Sequence, residues 1–176
     1  MTKFAVWTLG VDRPGIVASV TGALFEEGCN LADCSMTILA GNFAMVLIVD
    51  APAGAGDADL AQVLAVPAAA FDLGVAVRAI GTEAVVPEGE PFVVSVYGAD
   101  RPGIVHHVAA ALADLNVNIR DLETRVIGDA PPVYAMLLEV SVPEGVSPDE
   151  VAARLRELAD TLGVDATLHP SDADVL

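Results

Sequence analysis

Residues 10–17 read Gly-Val-Asp-Arg-Pro-Gly-Ile-Val, and residues 98–105 read Gly-Ala-Asp-Arg-Pro-Gly-Ile-Val. The two octapeptides start 88 positions apart (98 minus 10) and differ only by a Val-to-Ala exchange. Self-similarity at a fixed offset is typical of a duplicated fold. The chain of 176 residues is therefore predicted to contain two small domains of one architecture, in which the best-matched segment is a turn.

An apolar strand precedes each octapeptide and an amphipathic helix follows it. Residues 4–9 and 92–97 are apolar on both faces, which is typical of an interior strand. In the helices, apolar residues recur about every four positions: Ile16, Val20 and Leu24, then Ile104, Val108, Leu112 and Leu115. We expect Asp12 and Asp100 to cap these helices, Pro14 and Pro102 to stand in their first turns, and Gly28 to end the first helix.

The same element order continues in both copies. A strand begins at Asn30 and at Asn118, and it is followed by a second strand, a second helix and a last strand. Pro67 predicts a kink or break in the second helix of copy one. In copy two, Ser147, Pro148 and Glu150 predict a capping box and Gly163 a helix end. Copy two also has three extra residues in its hairpin, near 129–132, where we expect a surface loop.

Each copy thus reads βαββαβ, which predicts an α+β, ferredoxin-like fold with two helices on one face of a four-stranded antiparallel sheet. The predicted boundaries are 1–82 for domain 1, 83–91 for a linker, 92–170 for domain 2 and 171–176 for an acidic tail. Ala44, Val46 and Ile48 alternate with equally apolar residues, so the sheet face away from the helices is also apolar. A second copy of the chain could cover that face, and we predict a homodimer.

Charge and composition exclude several classes of partner. The net charge is −17, divided as −7 over residues 1–88 and −10 over residues 89–176. Both halves repel phosphate, so neither direct nucleic-acid binding nor an anionic membrane is expected. No apolar run is long enough for a membrane helix and no signal peptide is recognised. Cys29 and Cys34 have no metal-site spacing; we expect two small buried side chains in a reducing, cytoplasmic environment.

The repeated turn has three possible roles. A purely structural role explains its Gly, Asp and Pro, but not Arg13 and Arg101 or the asparagines Asn30 and Asn118. A phosphate site is disfavoured, because the spacing is not that of a dinucleotide fingerprint and an Asp would oppose the phosphate. The third role is recognition of a small zwitterion: a helix N-terminus suits a carboxylate, an Asp suits an ammonium, and Asn both donates and accepts.

The strand, the Gly-x-Asp-Arg-Pro-Gly-Ile-Val turn, the amphipathic helix and the Asn-Leu or Asn-Ile that opens the next strand resemble the ACT domain, a small amino-acid-binding regulatory module. Two such copies with no attached enzyme are most similar to the glycine cleavage system transcriptional repressor family. The resemblance implies a ligand site between domains, and regulation through a protein partner such as a transcription factor or an enzyme. The implied ligand-binding residues are Gly10, Asp12, Arg13, Gly15, Ile16, Asn30 and Leu31, with Gly98, Asp100, Arg101, Gly103, Ile104, Asn118 and Ile119.

We expect no catalytic residue, metal or cofactor. His106 and His107 are adjacent on a helix and point about 100° apart, so they cannot easily share a metal, and no serine stands in a nucleophile-elbow motif. The leading hypothesis is a non-catalytic regulatory protein that binds an amino acid or similar ligand and signals to a partner. The alternatives are a ligand-free dimerisation module and an accessory subunit of a metabolic enzyme.

Overall fold

The computed structural model describes residues 1–81, 89–128 and 132–171. Contacts divide the chain into two compact units, Met1–Ala84 and Val85–Leu176, called here the first and second domain. Most of the predicted linker, the extra hairpin residues 129–131 and nearly all of the predicted tail lie outside the described residues.

Both domains have the predicted βαββαβ order. The first comprises β1 (Thr2–Val11), α1 (Ile16–Glu26), β2 (Asn30–Leu39), β3 (Asn42–Ala51), α2 (Asp57–Phe71) and β4 (Gly74–Ile80). The second comprises β5 (Glu90–Gly98), α3 (Ile104–Asp114), β6 (Asn118–Ile127), β7 (Val133–Val142), α4 (Pro148–Leu162) and β8 (Val164–Pro170). The antiparallel sheets have the strand orders β2-β3-β1-β4 and β6-β7-β5-β8. The ferredoxin-like fold class is confirmed, and β1 and β5 are interior strands as predicted.

Helical periodicity located the cores correctly. Ile16, Val20 and Leu24 of α1 are buried, as are Ile104, Val108 and Leu112 of α3. They pack on alternate residues of the interior strands, such as Val6 in the first domain and Val94 in the second. Each sheet therefore buries the face on which its two helices lie.

The starts of α1 and α3 differ from the prediction. The N-cap residues are Gly15 and Gly103, with φ of 98° and 96°, and neither helix start has a side-chain cap hydrogen bond. Asp12 and Asp100 are therefore not caps, and Pro14 and Pro102 lie before the helices rather than in their first turns. The left-handed backbone at the glycine sets the helix start, because it cannot be part of a right-handed turn.

The ends of these helices follow a regular design. Gly28, with φ of 71°, donates its N–H to the carbonyl of Phe25, and Cys29 donates to that of Leu24. This pair of bonds is a Schellman motif, and it confirms Gly28 as the terminator. Asn116, with φ of 55°, takes the same position after α3. Asparagine adopts this left-handed conformation more readily than most residues other than glycine.

The second helices correct two predictions. α2 runs from Asp57 through Phe71 without a break, although Pro67 lies inside it and is buried. At α4, Ser147 accepts a hydrogen bond from the N–H of Asp149 rather than completing a capping box with Glu150. Gly163 ends α4 with φ of 65°, as predicted.

The sheet faces away from the helices differ between the domains. In the first domain this outer face carries Trp7 and Leu9 of β1 and Val46 and Ile48 of β3, and Trp7 and Val46 are each 39% exposed. The matching residues of the second domain are Ser95, Tyr97, Leu137 and Glu139. On its two central strands the first outer face is apolar, as its sequence predicts, whereas the second carries Ser95 and Glu139.

The edge strands β2 and β6 are largely exposed and share one irregularity. All ten residues of β2 are exposed, so Cys34 is exposed rather than buried as predicted, while Cys29 is half-buried. In both strands the register shifts at the same point, between Leu31 and Asp33 and between Ile119 and Asp121. Such a shift is a β-bulge, which bends and twists an edge strand.

Candidate functional site

The two repeated turns each lie at one end of a sheet, between an interior strand and a helix N-terminus. Asp12, Arg13, Asp100 and Arg101 are exposed, whereas the helix-starting Ile16 and Ile104 are buried. In each turn the first helical hydrogen bond is accepted by the motif's second glycine. Ser19 N–H donates to the carbonyl of Gly15, and His107 N–H donates to that of Gly103, both at 2.9 Å. The first N–H groups of a helix point outward and carry its positive dipole end, so these turns present donors suited to an anion.

The first glycine of each turn is required by packing. A Cβ on Gly10 would lie 2.6 Å from Cδ2 of Leu73, and one on Gly98 would lie 2.7 Å from Cγ1 of Val164. Leu73 and Val164 stand where the second helix of each domain meets the last strand. The glycines thus let the turn close against that junction, which is a structural role common to both copies.

Arg101 also has a structural contact. Its Nη1 donates a 3.1 Å hydrogen bond to the carbonyl of Leu162, the last residue of α4, and lies beside Gly163. A cation at a helix C-terminus stabilises the unpaired carbonyls there. Arg13 makes no side-chain hydrogen bond or ion pair within the described part of the chain. The two arginines of the repeat are therefore not equivalent.

The asparagines lie at the opposite end of each sheet from the turns. Asn30 pairs with Asp50, which pairs with Lys3, whereas Gly10 pairs with Phe43 at the other end of β3. Seven residue steps from Lys3 to Gly10 amount to roughly 23 Å of strand at about 3.3 Å per residue. In the second domain, Asn118 pairs with Ser141 while Gly98 pairs with Tyr134. No single domain brings its own turn and its own asparagine together.

Asn30 and Leu31 line a groove between α1 and β2. Its cavity has a volume of about 490 Å³, and its walls include Thr21, Phe25 and Cys29. Burial and the nearby Glu27 carboxylate raise the pKa of the Cys29 thiol. Asn118 and Ile119 are half-buried at the matching place in the second domain. The groove gives Asn30 an environment in which a small ligand could contact its amide.

The second turn has more polar surroundings than the first. Tyr134 takes the position that the buried Phe43 has in the strand beside the first turn. Burial raises the pKa of Tyr134; a hydrogen bond with Thr124 lowers it, and the Asp100 carboxylate raises it. A Cβ on Gly103 would lie 3.4 Å from the ring of His107, whereas one on Gly15 would meet Phe71 at 3.3 Å. The motif alone missed Tyr134 and Phe71. Aligning the two copies with a shift of 91 would have revealed the Phe-to-Tyr change.

The two histidines do not form a metal site. His106 and His107 are exposed, with ring centroids 5.2 Å apart. Across residues 1–81, 89–128 and 132–171, no group of three or more His, Cys, Asp or Glu side chains is arranged to hold a metal ion. Within the same ranges, no helix is long and apolar enough to cross a membrane.

Comparison with known proteins identifies the repeated unit. The family model described as "ACT domain" matches residues 4–79 and again 90–169. A UPF0237 protein of Methanopyrus kandleri is 48% identical over 50 residues, which is 28% of this chain and 56% of that protein. The chain thus spans little more than half the length of this curated relative. The glycine cleavage system transcriptional repressor of Escherichia coli is 26% identical over 120 residues, 68% of this chain and 63% of the repressor.

Solved structures support the same fold along the whole chain. The crystal structure of an unknown protein from Galdieria sulphuraria superposes with a TM-score of 0.81 at 29% identity, covering 97% of this chain and 98% of that one. A putative glycine cleavage system transcriptional repressor superposes with a TM-score of 0.68 at 16% identity, with 96% of each chain covered. The likeness to the second structure concerns the fold alone. The chain belongs to the ACT domain family and carries that domain twice.

Proposed function

We propose that this protein is a non-catalytic regulator that binds an amino acid or a similar small zwitterion through its ACT domains and signals to a protein partner. The conservation of the turn between the two copies supports this proposal, because it repeats an exposed Asp beside a helix N-terminus. The E. coli repressor, related over 68% of the chain, favours a role in the transcriptional control of amino-acid or glycine metabolism. The proposed binding units are residues 1–82 and 92–170, joined by 83–91 and followed by the tail 171–176. We place the protein in the cytoplasm, where an exposed thiol such as Cys34 stays reduced.

The proposed ligand chemistry follows from the two groups of residues. At the turn, Gly15, Ile16, Gly103 and Ile104 offer backbone N–H groups to a carboxylate, and Asp12 or Asp100 offers a counter-charge to an ammonium. Asn30 and Asn118 offer an amide that both donates and accepts, beside Leu31 and Ile119. The observation that carries the proposal further is the separation of roughly 23 Å along the strand between turn and asparagine. The turn and the asparagine of one domain therefore cannot contact the same small ligand.

A thermal-shift screen of the twenty amino acids at millimolar concentration tests ligand binding. A ligand present at about 100 times its dissociation constant should stabilise the folded protein by about 2.7 kcal/mol. One or a few amino acids should raise the melting temperature well above the others. If all twenty leave it unchanged, amino-acid binding is rejected.

Variants then locate the site. Asn30→Ala and Asn118→Ala should each weaken binding of the best amino acid by about ten-fold or more, because one hydrogen bond to a charged ligand group is lost. Ser35→Ala is the matched control, since Ser35 is an exposed polar residue of the same strand as Asn30. Equal affinities in all three variants would remove the asparagines from the site. Glycine variants are less informative, because they would disturb the fold and the site together.

A ligand-free structural module is the second candidate, and specific contacts favour it. Gly10 and Gly98 are explained by close packing, and Arg101 by its bond to the Leu162 carbonyl. If these roles are the whole reason for the repeat, no amino acid will shift the melting temperature, while Arg101→Ala will still lower it. An accessory subunit of an enzyme would instead alter the rate of that enzyme in an amino-acid-dependent way.

A further inference from the structure

Three adjoining cavities surround the C-terminal half of α1 in the first domain. One of about 500 Å³ lies between α1 and α2, one of about 380 Å³ lies between the end of α1 and the start of α2, and the third is the Asn30 groove of about 490 Å³. They share walls: Ala18 and Gly22 line the first and third, and Glu27 and Val63 line the first and second. Together they form one continuous surface, called here the α1 groove.

Small residues form the floor of the α1 groove, and one large apolar side chain stands on either side of it. Apart from its chain neighbours and the helix's own backbone, no heavy atom of the described residues lies within 4 Å of the position of a Cβ on Gly22, so the helix surface is open there. Phe25 is 78% exposed and Val66 is 75% exposed on either side. Exposed apolar side chains beside an open groove are typical of a surface that receives a helix.

The rim of the α1 groove is acidic. Glu26, Glu27 and Asp59 line it, and no Lys, Arg or His is among its lining residues. Glu26 and Glu27 form no ion pair within the described part of the chain, where the ion pairs are Lys3–Asp50, Arg125–Glu123 and Arg154–Glu157. The unpaired carboxylates set a requirement for positive charge on whatever binds there.

The second domain provides an internal comparison. At the positions of Val63 and Val66 it has Arg154 and Glu157, which form an ion pair of 3.9 Å. At the positions of Ala18 and Ser19 it has His106 and His107. The same fold thus carries a solvated polar face in one domain and a groove with apolar flanks and an acidic rim in the other, so the groove is not a requirement of the fold.

We propose that the α1 groove docks a basic amphipathic helix of a partner protein. The apolar side of that helix, with anchors at i, i+3 or i+4 and i+7, would lie along Gly22 between Phe25 and Val66, and its Lys or Arg residues would meet Glu26 and Glu27. A second copy of this chain fits poorly, because it would place carboxylates against carboxylates. This inference rests on the proposed signalling to a protein partner and identifies the surface for it.

Two synthetic peptides test the docking with the full chain. Both are 18-residue fluorescein-labelled helices with leucines at the spacing just given; the remaining positions are mostly Lys in one and mostly Glu in the other. Fluorescence anisotropy should show saturable binding of the Leu–Lys peptide to the protein and no binding of the Leu–Glu peptide. Phe25→Ser and Val66→Ser should each weaken it about ten-fold without changing the net charge. Val126→Ser, at a 58% exposed valine of the second domain, is the matched control and should have no effect.

Charge variants and oligomeric state complete the test. Glu26→Gln with Glu27→Gln should weaken the Leu–Lys peptide and flatten its salt dependence, whereas the same change at the second-domain residue Glu139 should not. Equal binding by Val66→Ser and wild type would mean non-specific attraction to a chain of net charge −17 and would overturn the proposal. A dimer that Val66→Ser dissociates would also overturn it, because a second copy would then occupy the groove. If the wild-type protein binds no peptide but still shows amino-acid thermal shifts, the docking proposal is rejected and the ligand proposal stands.

Discussion

Thr8 places a hydroxyl inside the core of the first domain. The residue is 2% exposed, and its buried Oγ1 has no hydrogen-bond partner among the residues that the structure describes. Its counterpart Val96, in the same strand position of the second domain, is fully buried. An unpaired buried hydroxyl costs about 1–3 kcal/mol relative to a satisfied one, and valine has nearly the same shape.

Thr8→Val should therefore raise the free energy of unfolding of the first domain by about 1 kcal/mol. Urea unfolding followed by fluorescence measures this change, because Trp7 is the only tryptophan in the chain. Val96→Thr is the reciprocal control and should destabilise the second domain by a similar amount. A less stable Thr8→Val protein would mean that the hydroxyl has a bound partner in solution.

The two thiols should differ in reactivity. Cys34 is exposed, whereas Cys29 is half-buried and its pKa is raised by burial and by Glu27. Thiolates are the reactive form, so iodoacetamide at pH 8 should modify Cys34 first, as mass spectrometry will reveal. Above the ordinary thiol pKa of 9.0, the folded state keeps a proton at Cys29 that the unfolded state loses, so stability falls as the pH rises. Cys29→Ser should remove that part of the decline; faster labelling of Cys29 than Cys34 would contradict the burial seen here.

At the scale of elements, the junction between β1 and α1 depends on one glycine. Gly15 has φ of 98°, and a Cβ there would lie 3.3 Å from the Phe71 ring. Gly15→Ala should destabilise the first domain by about 1–2 kcal/mol, the cost of a left-handed conformation for an L-residue. Gly22→Ala is the control: it lies mid-helix with open space around it, and it should stabilise by about 0.5–1 kcal/mol. Trp7 fluorescence in urea reports both, and equal effects would contradict the backbone argument.

The order of the helices and strands could be predicted from the sequence, whereas the start of α1 and the continuity of α2 could not. The order of strands and helices follows from periodicity, because Ile16, Val20 and Leu24 can bury together only on a helix. The helix start was mispredicted at Asp12, since nothing local announces that Gly15 will adopt a left-handed backbone. The uninterrupted α2 was missed because local propensity assigns an interior proline a penalty of about 3 kcal/mol and does not show the tertiary packing that buries Pro67 with Leu60 and Leu64.

The candidate site was less predictable than the fold. Residue type and repetition identified the turns, but only the strand register shows that Asn30 and Gly10 lie at opposite ends of a sheet. The contact of Arg101 with Leu162 joins residues 61 positions apart, and no pattern in the sequence signals it. Long-range geometry of this kind decides which members of a motif can act together.

At the scale of the whole molecule, the apolar outer face of the first sheet is the basis for the expected homodimer. Light scattering at micromolar concentration should give twice the mass of the 18.0 kDa chain. Ile48→Glu copies the Glu139 of the second domain onto that face and should yield a monomer, because it buries an unpaired charge in the interface. Val133→Glu, at an exposed position of the second domain, should leave the dimer intact. A monomeric wild-type protein would rule out the dimer.

The paired bulges have a consequence for how chains meet in crowded solution. A fully exposed strand such as β2 offers a template on which other chains could stack without limit. The irregularity between Leu31 and Asp33 divides β2 into residues 30–31 and 33–39, so a straight strand added along it cannot stay in register over its full length. The same interruption protects β6. Duplication gave the chain two such exposed edge strands, and each carries the same irregularity.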